Sequence, residues 1–319
     1  MLLSLLLPLT STNCYPILGA LGRPANAWLL RELTRRQPDL AQSLHDDKGV
    51  KPYTVSTLLD DRGRPLAAGA WLQPGQTCWL RVTTFEECLS EMLLEMVKDL
   101  PARLALYKMD FRLDGWTLDP AQHPWAGRTS FAALAQAEKV NSRSREVRLE
   151  FASPTAFRSE GADTPLPIPA LILRSHWQRW NAVVPEPMQI HAAWPEFAAA
   201  CVKVSELTAV NTERWVFAEG TRGAAIGFTG TASLALLSKH QCLKLIEDGL
   251  NPSGYAGHTL MPERQCREWA ACWEGADRVL QSLAQFAFYC GTGHHTTIGM
   301  GQTRCLHTAR DDQNLIYRR

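Results

Sequence analysis

The run Gly291-Thr292-Gly293-His294-His295-Thr296-Thr297-Ile298-Gly299-Met300-Gly301 constrains the fold more than any other stretch of the chain. Four glycines in eleven residues permit left-handed backbone and a close approach to whatever lies alongside. His294, His295, Thr296 and Thr297 supply donors between them, and such a loop can turn successive N–H groups toward a phosphate. Before the loop, Ala270 to Tyr289 reads as a helix, with Val279, Leu280, Leu283, Phe286 and Ala287 at helical spacing. After it, Ile298 to Leu306 reads as a short strand. A dinucleotide fingerprint needs strand, glycines, then helix. The reversed order argues against a Rossmann site, and leaves a plain flexible turn or a loop that grips a nucleic-acid backbone.

The flanking sequence predicts the rest of an α+β fold. In the first half, residues 2–10 read as a strand and residues 24–44 as helical, with Pro24 in the first turn. Pro38 breaks that stretch into two helices, and Ala27, Leu30, Leu33 and Thr34 form the expected inner face. Tyr53–Leu59 and Thr77–Phe85 read as strands, Glu86–Leu100 as a helix with acids in its first turn, and Leu104–Leu113 as a closing strand. That is the β-α-β-β-α-β order of a ferredoxin-like unit. After a connector with a short helix near Ser130–Ala137, the order recurs. Val147–Phe157 is a strand, Pro169–Trp180 a helix, Trp215–Ala218 with Ile226–Leu237 a hairpin, and a helix and final strand follow. The expectation is two tandem ferredoxin-like (RRM-like) domains, 1–140 and 141–319, ending in the glycine-rich loop.

Composition narrows the function classes. A chain of 319 residues with 45% apolar and 20% charged residues is an ordinary globular protein. Its formal charge of +1 excludes a uniformly basic nucleic-acid binder, so an RNA ligand requires charge sorted onto one face. Sorting is visible: residues 85–99 hold five acids against one lysine, and residues 141–181 hold six arginines against four acids. Nine cysteines without a C-x-x-C pair fit reduced thiols in a cytoplasmic protein, with no metal and no other cofactor expected. The opening MLLSLLLPLTST lacks a basic start, is broken by Pro8, and is too short to span a bilayer. It reads as a buried first strand, and no membrane partner is expected.

Four segments, in order, carry a family resemblance. LAQFAFYCGTGHHTTIGMGQ is similar to the C-terminal glycine-rich signature of the RAMP proteins of CRISPR systems. Leu44-His45-Asp46-Asp47 followed by Lys51-Pro52-Tyr53-Thr54-Val55-Ser56 resembles the segment around the catalytic histidine of the Cas6 family of CRISPR-associated endoribonucleases. Phe151–Phe157 resembles the strand opening that family's second domain, and Arg222–Gly230 its central hairpin. The resemblance implies two ferredoxin-like domains, cleavage of precursor CRISPR RNA within each repeat, and a proton-transfer role for His45.

Taken by itself, His45 is either a proton-transfer residue or a surface histidine beside two turn aspartates. Histidine suits acid–base work because it titrates near neutrality. Lys48 and Lys51 lie close enough in sequence to aid a developing phosphorane. The tyrosine that some members of the family add from the first helix has no counterpart in residues 24–44, which leaves Tyr15, Tyr53 or lysine alone as the partner of His45. The candidate RNA contacts are Gly291, Gly293, His294, His295, Thr296, Thr297, Gly299 and Gly301, with Arg143, Arg145, Arg174 and Arg179. Trp177 and Trp180 stand beside the last two arginines, either to stack on bases or to fill a core. The leading expectation is a metal-independent endoribonuclease acting on CRISPR repeat RNA. A non-catalytic RNA-binding subunit of a CRISPR effector complex is the second reading, and a nucleotide-binding metabolic enzyme the third. A homodimer is compatible with either RNA reading.

Overall fold

A computed structural model describes residues 1–46, 49–136, 145–159, 161–217, 223–247 and 263–306. The first half contains β1 (Leu2–Ser11), β2 (Tyr15–Pro16), helices Gly22–Arg36 and Pro38–Asp46, β3 (Tyr53–Leu59), β4 (Trp71–Leu72) and β5 (Thr77–Thr84). Helix Glu87–Lys98, β6 (Arg103–Leu106), β7 (Met109–Leu113) and β8 (Gly127–Thr129) complete it. The main sheet runs β3-β5-β1-β7-β6, with β8 also on β1, while β2 and β4 form a separate pair. β1 is apolar on both faces because it lies in the middle of a sheet covered on both sides; nine of its ten residues are buried.

The second half contains β9 (Glu146–Thr155), β10 (Phe157–Ser159), β11 (Ala162–Thr164), helix Pro169–Val183, helix Trp194–Cys201, β12 (Val202–Val216) and β13 (Ala224–Leu236). Helices Lys239–Glu247, Glu263–Trp273 and Ala276–Cys290 lead to β14 (Thr303–Leu306). Its sheet runs β12-β13-β9-β14. In both sheets the first strand of the unit lies between the third and the fourth, with the second at the edge. The protein is therefore two tandem ferredoxin-like folds, as the element order predicts.

Several elements differ from the sequence expectation. Helix Gly22–Arg36 buries Ala25, Trp28, Leu29 and Leu33, while Ala27 and Thr34 face solvent. Trp28 has the largest apolar surface to remove from water, and it sets the inward face. Residues 104–113 form a hairpin, with Tyr107 at φ 58 in its turn. The 270–289 helix is two helices, parted at Gly275 with φ 82. The strand after the glycine loop is confined to Thr303–Leu306, since Thr296–Ile298 forms a single 3-10 turn. The largest difference is β12, fifteen residues long where the sequence suggested four at Trp215–Ala218. It is an edge strand exposed over most of its length, so no alternation of apolar and polar residues marks it.

The two sheets meet through helix Ala276–Cys290. Arg81 on β5 is only 3% exposed, donates from Nε to Ser4 Oγ at 2.8 Å, and bonds the Phe288 carbonyl through Nη2. Its guanidinium lies 4.8 Å from the Trp125 ring and 4.6 Å from that of Phe288. Burial pulls its pKa down to about 9, and the ring faces and carbonyls offset the lost hydration. Thr83 Oγ1 donates to the next carbonyl, Tyr289 O, at 2.5 Å.

A second tie is a glycine contact. A Cβ on Gly22 would lie 2.0 Å from the Ile298 carbonyl oxygen. Alanine at a compatible glycine position usually stabilises by about 0.4–1 kcal/mol. Here overpacking reverses the sign, and Gly22→Ala is expected to destabilise the protein by about 1–3 kcal/mol. Urea unfolding of the two proteins measures this, and a raised midpoint contradicts it.

Candidate functional site

The glycine loop is shaped by the protein's own backbone. Gly293, at φ 76, would place a Cβ 2.2 Å from Ala156 O, and Gly301, at φ 72, would place one 2.1 Å from Thr292 O. No other residue type fits either position. The loop amides are largely committed within the protein. Thr292 N donates to Gly301 O at 2.9 Å, and Gly293 N to Ser175 Oγ at 3.0 Å. His294 N donates to Ala156 O and Gly301 N to Pro154 O, both at 3.0 Å. The close approach that the sequence suggested for a ligand is thus made to β9 and the residue after it. The side chains of the loop are what it presents outward.

They face a cleft of about 460 Å³ between the two halves. Lys51 comes from the first half, Arg158 from β10, Arg174 from helix Pro169–Val183, and His294, His295 and Thr297 from the loop. No carboxylate lines this cleft among the described residues. A chain of net charge +1 has therefore gathered cations on one concave surface.

Just outside the lining, Asp163 on β11 accepts a 2.8 Å bond from Arg158, which holds its carboxyl below the usual range. Its Oδ1 is also 3.6 Å from His294 Nε2. The His294 and His295 rings are 4.1 Å apart, centre to centre. Burial, reinforced by His295 and opposed by Asp163, drops the His294 pKa to about 4. Burial also lowers that of His295. Both are neutral at pH 7, able to donate and accept hydrogen bonds without adding charge.

Of the residues singled out in the sequence, the cleft brings together Lys51, Arg174, Arg179, Gly293, His294, His295, Thr296 and Thr297. Gly291, Gly299 and Gly301 are buried behind it. His45 stands in the last turn of helix Pro38–Asp46, four positions before the cleft wall begins at Gly49. Lys51 is tied to that helix end by a bond from Nζ to the Leu44 carbonyl. Lys48 and Arg143 lie outside the described residues.

Arg145 is turned elsewhere, bonding Leu237 O and covering the Trp273 ring at 4.8 Å. Arg179 reaches the cleft wall but is committed inward, donating to Ser175 O at 3.1 Å and Gly293 O at 2.5 Å. Trp180 is in the core, and Trp177 donates to Ile190 O at 3.2 Å, so the two tryptophans pack rather than offer open faces.

Both tyrosines considered as partners for His45 have hydroxyls engaged elsewhere. Tyr53 is 3% exposed, donates to Asn26 Oδ1 at 3.0 Å, and burial pushes its pKa up to about 12. Tyr15 follows the far end of β1, beside Asp110. Arg158 and Ser175 were not evident in the sequence. Their only signal was position, Arg158 just beyond the FASPTAF strand and Ser175 one residue after Arg174. Among the described residues, no group of three His, Cys, Asp or Glu is arranged to hold a metal, and no helix is long and apolar enough to cross a membrane.

The geometry is that of tandem ferredoxin-like folds with a glycine loop closing a basic cleft between them. Residues 149–303 match the model of the CRISPR-associated endoribonuclease Cas6. A Cas6 product complex superimposes with a TM-score of 0.71 at 26% identity, over 96% of this chain and 100% of that one. Thermus thermophilus Cas6 gives 0.63 at 25% identity, over 96% and 98%. An RAMP protein binding different RNA substrates gives 0.54 at 13% identity, over 96% and 100%, a likeness of fold. No curated protein sequence matches. Over its second half the chain thus matches the Cas6 family, and over nearly its whole length it shares the fold of solved Cas6 proteins.

The neutral histidines carry a pH prediction. His294 is held near 4 and the fully buried His176 near 3, against about 6.5 when unfolded. Below 6.5 the unfolded chain binds more protons, so stability is full above that pH and falls as the pH drops toward 4. Replacing His294 by Gln should make the fall in urea midpoint over this window shallower. An unchanged slope means that His294 is not held neutral.

Proposed function

We propose that this chain cuts precursor CRISPR RNA within its repeats, by attack of a ribose 2′-OH on the adjacent phosphorus. The bond from phosphorus to the 5′-oxygen breaks, leaving a 2′,3′-cyclic phosphate and a 5′-hydroxyl. The observation that carries this reading is the concave surface lined by Lys51, Arg158 and Arg174, which begins at Gly49, three residues after the end of the helix that carries His45. A phosphodiester placed there meets cations able to stabilise charge on its oxygens. The nucleophile belongs to the substrate, so the reaction requires proton transfer rather than a metal-bound water. His45 transfers the proton, and Lys48 and Lys51 offset charge on the phosphorane. Residues 1–140 supply this chemistry and residues 141–319 hold the RNA. The similar Cas6 captured as a product complex supports an RNA ligand.

His45→Ala should lower the single-turnover rate at least ~10²-fold, the usual scale for a lost acid or base, with little change in repeat-RNA affinity. Cleavage should persist in excess EDTA and vanish with a 2′-deoxy substitution at the cut site. Strict dependence on Mg²⁺, or cutting of the deoxy substrate, would falsify the mechanism. Binding without cleavage in any buffer would instead identify a non-catalytic RNA-binding subunit of an effector complex.

Glycine substitutions do not give a clean test of RNA contact, because the space beside Gly293 and Gly301 is filled by protein. Exposed Arg174 does. Arg174→Gln should weaken repeat-RNA binding and make the salt dependence shallower by about 0.7 per lost phosphate contact on a single strand. Parental affinity and slope at every salt concentration would remove Arg174 from the interface.

A further inference from the structure

Helix Pro169–Val183 reaches the glycine loop through three polar side chains that no proton-transfer step uses. Gly293 is gripped on both sides: its N–H donates to Ser175 Oγ at 3.0 Å, and its carbonyl accepts from Arg179 Nη2 at 2.5 Å. Arg179 also bonds Ser175 Oγ, closing the grip. Residues 175 and 179 are one helical turn apart, so both side chains lie over the same peptide. One residue earlier in the loop, Thr292 Oγ1 is 2.7 Å from His176 Nε2. The next two residues are His294 and His295, which line the cleft.

This is a costly way to hold a loop. His176 is wholly buried, and among the described residues its Nδ1 has no partner. Burial lowers the Arg179 pKa, and no carboxylate pairs with it among the described residues. Apolar side chains of similar size commonly replace buried ionic groups without loss of stability. What an apolar contact does not supply is direction. Hydrogen bonds to both ends of one peptide fix its orientation, and with it the path of the residues that follow.

We infer that Ser175, His176 and Arg179 are positioning residues, a clamp on Thr292 and Gly293 that aims His294 and His295 into the cleft. They act through the loop and need not touch RNA. The consequence for cleavage rests on the function proposed above; the consequence for the loop does not.

The test uses the full chain, a repeat RNA and two readouts. His176→Leu keeps the bulk and removes the bond, and His176→Gln offers an amide nitrogen near the position of Nε2. In folded protein, His176→Leu should lower the single-turnover rate about 10- to 100-fold, the scale of a displaced reacting geometry. His176→Gln should recover most of the rate. In parallel, histidine NMR titration should show His294 moving up from about 4 toward its ordinary value in His176→Leu, as the loop loosens from its buried seat. Should His176→Leu fail to fold, Thr292→Val removes the same bond from the loop side. Parental rates together with parental His294 titration in these variants and in Ser175→Ala would overturn the clamp. If the parent itself does not cut repeat RNA, the proposed function falls, and the His294 titration still decides the clamp.

Discussion

Ala156 presents its carbonyl where a side chain on Gly293 would have to stand, and the rest of the site depends on that contact. The same atom accepts the His294 amide, so the loop is joined to the end of β9 by steric fit and hydrogen bonding at one point. Gly22 makes the corresponding approach to Ile298 from the first half of the chain. Backbone therefore meets backbone on both sides of the loop, at distances only glycine allows. The position of the two sheets relative to each other, and so the width of the cleft, is set by these contacts together with Arg81 and Thr83 on the Phe288 and Tyr289 carbonyls.

Charge in this protein is managed by placement rather than amount. Arg81 is buried against carbonyls and rings, Arg179 is half-buried against carbonyls, and both spend their donors on structure. Arg145 is likewise occupied by Leu237 and Trp273. The cations left facing the cleft are few, and no carboxylate lines it among the described residues. In a concave surface with low-dielectric walls, a few such charges suffice to create a local positive potential. The paired histidines stay neutral there because burial penalises their charged forms, so they add hydrogen-bonding capacity without raising the charge.

Local signals survived in the sequence where local physics decides. The proline at 38, the acid-rich start of helix Glu87–Lys98, with Glu86 accepting from the amides of Cys88 and Leu89, and the apolar β1 all folded as their residues suggest. Where packing decides, the signals faded. The edge strand β12 shows no period because residues on both of its faces are exposed over most of its length. Tyr53 looks like an available hydroxyl in sequence and is a core residue in the fold.

The sequence by itself determined the element order, the two repeated ferredoxin-like topologies, and a glycine loop between a helix and a strand. It also carried motifs that resemble the Cas6 family, and residues 149–303 match that family's model. Tertiary structure alone decided what the glycines approach, because the Gly293 to Ser175 and Gly293 to Ala156 contacts join residues more than a hundred positions apart. It alone separated Arg174, exposed in the cleft, from Arg179 five residues further on, which is consumed by the loop. Both are arginines on one helix, and their spacing puts them on different faces without saying which face meets the loop. Their difference is the direction of a side chain relative to a neighbour, and that exists only once the neighbour has been folded into place.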